Sequence, residues 1–107
     1  MLVVQANLAN TYAELGRLEE ALSMRREVYS GTLRLEGEES RNTLLEANNY
    51  AGVLVKLNRF EEAKALLRKT LPVARRVLGD GHELTLKITF GYAQTLYKLD
   101  GATLDDL

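Results

Sequence analysis

A chain of 107 residues with 46% hydrophobic content has the length of one small domain and enough apolar side chains for a modest core. Its 14 Lys and Arg against 15 Asp and Glu leave a formal charge of -1, so no bulk positive field draws it to nucleic acid or an acidic membrane. Cysteine is absent, which excludes disulfides and thiolate metal sites.

The opening Met1-Leu2-Val3-Val4 is apolar but runs into Gln5 and Asn7 without a basic leader, and no apolar run is long enough to span a bilayer. We therefore expect a soluble, untargeted protein, cytoplasmic by default. Leu2, Ala6, Ala9, Tyr12, Ala13 and Leu15 recur at three- and four-residue spacings, which predicts a first helix closed at Gly16. A second helix starts near Leu18 with Glu19 and Glu20 at the positive end of its dipole, buries Ala21, Leu22, Met24, Val28, Tyr29 and Leu33, and stops at Gly37. A third helix is expected from Ser40 to Leu57, where Asn58 takes the left-handed turn that glycine would otherwise supply. A fourth follows from Phe60 to Leu78, then Gly79-Asp80-Gly81, then a fifth from His82 to Leu99. Pro72 inside the fourth helix removes a backbone donor and crowds the Arg68 carbonyl, so a bend is expected there, with Ser30-Gly31, both poor helix formers, at the matching place.

These elements repeat. An offset of 42 residues carries Leu15 onto Leu57 and Leu99, Arg17 onto Arg59, Glu19-Glu20-Ala21 onto Glu61-Glu62-Ala63, and Gly37 onto Gly79. A self-similarity period between about 20 and 50 residues marks stacked helical units, none able to bury its apolar face alone. The expected fold is all-α, a solenoid of antiparallel helix hairpins with about two and a half repeats and five helices. The units run over residues 1–39, 40–81 and a partial 82–107, as though cut from a longer array. Uncapped apolar ends would then invite a homo-oligomer through helix exchange or end-to-end stacking.

The run Asn7-Leu8-Ala9, Tyr12, Leu15-Gly16-Arg17-Leu18-Glu19-Glu20-Ala21, with Arg59-Phe60-Glu61-Glu62-Ala63 in the second unit, resembles the tetratricopeptide repeat. Ordinary units of that family have roughly 34 residues; the longer period and Val77-Leu78-Gly79-Asp80 are similar to the kinesin light chain type. Ser40-Arg41 and His82-Glu83 stand where that type carries His-Pro, and Pro72 departs from it too. The resemblance implies a right-handed superhelix whose first helices line a concave groove. Carried over residue by residue, that groove displays Asn7, Asn10 and Glu14 from the first unit, Asn48, Asn49 and Lys56 from the second, and Lys87, Gln94 and Lys98 from the third. Val3, Ala6, Ala13, Leu45, Gly52, Val55, Phe90, Gly91 and Tyr97 would lie among them.

Amides at such positions both donate and accept, so they suit an extended peptide backbone whatever its side chains. Lys56 and Lys98 share one place in successive units, and with Lys87 they favour an acidic ligand or a free carboxylate; Glu14 holds that place in the first unit. The expected function is a protein-interaction scaffold for an acidic peptide segment. Single-stranded RNA binding and self-assembly are the alternatives, the former disfavoured by the near-neutral charge. No catalytic constellation is present, so neither enzyme activity nor a cofactor is expected. His82, the single histidine, reads as a helix cap and cannot nucleate a metal site alone. The paired charges Glu38-Glu39, Arg25-Arg26 and Arg75-Arg76 read as hydrated surface.

Overall fold

Glu19 and Glu20 in a first turn, Arg34 in a last turn and a glycine beyond it supply the charge pattern and stop that an isolated helix needs. The same arrangement, Glu61 and Glu62 first with Arg75 and Arg76 last, recurs one period on. The computed structural model describes residues 17–100 as four helices: α1 (Leu18–Glu36), α2 (Arg41–Lys56), α3 (Phe60–Leu78) and α4 (Glu83–Asp100). No strand occurs among the described residues. The first of the five expected helices falls in residues 1–16, outside the described residues.

The connections repeat with the helices. Gly37 and Gly79 take φ 86° and 95° with ψ 168° and 157°, a region open essentially to glycine alone. Ser40 then caps α2, its side chain accepting from the Asn42 N–H at 3.2 Å, and His82 does the same for α4 through Nδ1, which accepts from the Leu84 N–H at 3.0 Å. His82 is thus the cap the sequence indicates. Asn58 has φ 61°, and the Arg59 and Asn58 N–H groups donate to the Leu54 and Val55 carbonyls at 2.8 and 3.0 Å. That paired closure of a helix end satisfies carbonyls which would otherwise be orphaned.

Packing follows the periodic apolar positions. Ala21, Leu22, Val28, Leu44, Ala47, Ala51, Leu54, Ala63, Leu67, Ala74 and Ile88 are nearly inaccessible. Met24 and Leu33, expected in this set, are only half-buried. Where a first helix meets the second helix of the preceding unit, a threonine bridges them: Thr43 Oγ1 donates to the Thr32 carbonyl at 3.5 Å and Thr85 Oγ1 to the Ala74 carbonyl at 3.4 Å. Donors and acceptors are each one period apart. Because the acceptor is backbone, the change from Thr32 to Ala74 leaves the bond intact.

One expectation needs correction. Arg25 is 5% exposed rather than hydrated, and its guanidinium lies 3.5 Å from Glu46 across the α1–α2 contact. The alkyl stem packs with the core while the charge meets its counterpart on the next helix. Its neighbour Arg26 stays exposed, donates to the Tyr50 hydroxyl at 3.1 Å, and is held further above its ordinary pKa by that bond. Arg76 is also exposed and pairs with Glu39 at 2.8 Å. Pro72 lies within α3, which runs on through it. It faces solvent, where water can satisfy the carbonyl that the missing N–H leaves free. α1 likewise runs on through Ser30 and Gly31.

Candidate functional site

α2 and α4 are both first helices of their units, and they border a cavity of about 720 Å³. From α2 it takes Asn48, Ala51, Gly52, Val55 and Lys56; from α4 it takes Glu83, Leu86, Lys87, Phe90, Gly91 and Gln94, with Leu67 of α3 as the remaining member. Gly52 lies mid-helix and exposed, with nothing within 4 Å of where a Cβ would stand, so the groove is open over that turn. At Gly91 a Cβ would lie 3.7 Å from Leu67 Cδ1, an ordinary van der Waals contact.

The apolar wall is Phe90, 71% exposed, and Leu86, 54% exposed. An aromatic ring left that far in water on a well-packed helix is available to a partner rather than to the core. Beside it stand the amides of Asn48 and Gln94. Lys56 is exposed and enters no ion pair among the described residues. Lys87 differs, because its Nζ lies 3.4 Å from Glu83 Oε1 on the same helix face. Among the described residues the groove therefore carries Lys56 outside any ion pair and Lys87 already neighboured by a carboxylate.

Of the residues predicted from sequence, Asn48, Lys56, Lys87 and Gln94 come together around this cavity, with Gly52, Val55, Phe90 and Gly91. Asn49 does not line it; it is half-buried, and its Nδ2 donates to Glu46 Oε1 at 3.5 Å. Lys98 is exposed but also stands apart from the cavity. Asn7, Asn10 and Glu14 lie outside the described residues. Leu86 and Glu83 are groove residues that sequence reasoning missed. Leu86 precedes Phe90 by one helical turn and Ala93 by two, a spacing that marks a second apolar stripe on α4 besides its core side.

Tetratricopeptide repeat family models match residues 43–102 and 2–42. The chain belongs to the tetratricopeptide repeat family. Its units are of the long, kinesin light chain-like type. Repeats of this family generally serve as non-enzymatic scaffolds for protein–protein interaction. No curated protein matches the chain. No helix among the described residues is long and apolar enough to cross a membrane.

Proposed function

We propose that this chain is an interaction module that holds an extended or short helical, acidic segment of another protein in the groove between α2 and α4. The observation that carries the reading is the exposed Phe90–Leu86 wall set beside two amides and the unpaired Lys56 in one cavity of about 720 Å³. An apolar anchor of the ligand gains by leaving water against that wall. Asn48 and Gln94 meet its backbone, and Lys56 attracts its carboxylates. None of this requires a cofactor or a reaction.

The test is capture from an unbiased peptide library by the full chain, at low and high salt, followed by the same selection with Lys56→Glu. Recovered peptides should share acidic residues around an apolar anchor, and the charge reversal should select against them. Enrichment that ignores acidic residues, or that survives the reversal, defeats the reading. Capture of single-stranded RNA, with affinity falling steeply as salt rises, would replace it with phosphate recognition.

A further inference from the structure

The stripe of α2 that lines the groove does not stop at the cavity described above. Arg41, Leu45, Asn48, Gly52 and Lys56 follow one another at steps of three and four residues, so they share one face of the helix. The upstream part of that face, with Arg41 and Leu45, borders a second cavity of about 220 Å³ against the start of α4. Glu83 and Lys87 line both cavities, so the two meet at that ion pair and form one continuous groove along the α2–α4 seam.

Charge along this groove is uneven. Arg41 is exposed and, like Lys56, enters no ion pair among the described residues. Where the cavities meet, Lys87 is already neighboured by Glu83 at 3.4 Å, so a carboxylate arriving there would meet both signs. The exposed apolar side chains of Leu45 and Phe90 lie between the two cations that have no such neighbour. At a rise of about 1.5 Å per residue, Arg41 and Lys56 stand roughly 22 Å apart along α2.

We infer that the ligand of the groove proposed above, a function on which this inference rests, is an extended segment with two carboxylates about seven residues apart, one meeting Arg41 and the other Lys56. An apolar residue lies between them. An extended chain advances about 3.3 Å per residue, so about seven residues cover the distance between the cations, whereas a helical ligand would need about fifteen. The amides distinguish the two. Asn48 and Gln94 pair with a main chain whose N–H and C=O groups are free, and in a helix those groups already bond to one another. A carboxylate placed at Lys87 instead gains least, because Glu83 opposes it there.

The probes are labelled, end-blocked peptides with one phenylalanine between two glutamates in a serine and glycine background, the glutamates about four, seven, eleven or fifteen residues apart, offered to the full chain. The spacing of about seven should bind tightest, by about fivefold over the spacing of four. Arg41→Glu should weaken that peptide about fivefold, and a single-glutamate peptide, which Lys56 alone can hold, by no more than about twofold. Replacing one glutamate of the peptide by lysine should restore binding to the Arg41→Glu variant. Because Arg41 is exposed and outside the ion pairs of the described residues, the variant should keep its thermal melt. Affinity indifferent to spacing, or to Arg41→Glu while Lys56→Glu still weakens it, overturns the inference and leaves the groove function standing. A best spacing near fifteen with a gain in helicity on binding overturns it in favour of a helical ligand. If no peptide saturates up to about 1 mM, or Lys56→Glu is without effect as well, the groove function itself falls and the spacing with it.

Discussion

Arg25 on α1 reaches Glu46 on α2 across a packed helix interface, Nη1 to Oε1 at 3.5 Å, with the arginine side chain 6% and the glutamate side chain 17% exposed. A charge in that position is costly to leave without its counterpart, since water cannot fully replace it.

Removing either charge should therefore cost more than an exposed ion pair would. We expect Glu46→Ala or Arg25→Ala to lower unfolding free energy by about 2–4 kcal/mol. Arg25→Met, which keeps the alkyl stem and removes the charge, should cost less than Arg25→Ala. Urea denaturation of the single and double variants checks this; a coupling energy near zero would show that Arg25 acts through packing alone.

The bonded pairs Thr43–Thr32 and Thr85–Ala74 predict matched responses in successive units. Thr43→Val and Thr85→Val each keep the side-chain shape and delete a buried donor, and each should cost about 0.5–1.5 kcal/mol. The sites belong to different contacts, so the double variant should be additive within about 0.5 kcal/mol. A marked excess in the denaturation midpoints would mean the units transmit strain to one another.

Gly37 and Gly79 should be irreplaceable for a backbone reason rather than a steric one. Neither has an atom within 4 Å of where a Cβ would stand, yet both hold positive φ with extended ψ. Gly37→Ala and Gly79→Ala should each destabilise by about 1–3 kcal/mol. Gly81, with open space and no positive φ, is the control, and Gly81→Ala should leave the melting temperature almost unmoved.

Phe90 separates binding from stability. Its ring is 71% exposed, so Phe90→Ala should change unfolding free energy by no more than about 0.5 kcal/mol. The same substitution should weaken capture of acidic, apolar-anchored peptides about tenfold. Gly52→Ala, mid-helix with room for a methyl group, should raise stability by about 0.5–1 kcal/mol. Thermal melts and peptide titrations on the same preparations read both quantities.

That Asn48, Lys56, Lys87 and Gln94 would share a groove was implied by the resemblance, which assigns the groove to first helices, while the 42-residue period carried the positions from one unit to the next. Asn49 stands off the cavity because one helical step from Asn48 rotates a side chain by about 100°, whereas Lys98 lies one turn beyond Gln94, past the last cavity residue of α4. Leu86 was not among the positions the resemblance carried over, and its counterpart Leu44 is a core residue.

By itself the sequence determined the four described helices, their stops and their recurrence, all of which depend on neighbours a few positions apart: Gly37 with Gly79, His82 capping α4, and Asn58 at the hairpin turn. Only the tertiary structure decided that Arg25 is buried against Glu46, that Thr43 and Thr85 tie units together through carbonyls, and that Leu86 and Ala93 face outward while Leu44 and Ala51 do not. Identical places in a repeat differ in burial because burial is set by which surfaces meet, and that depends on the neighbouring unit rather than on the residue's own segment.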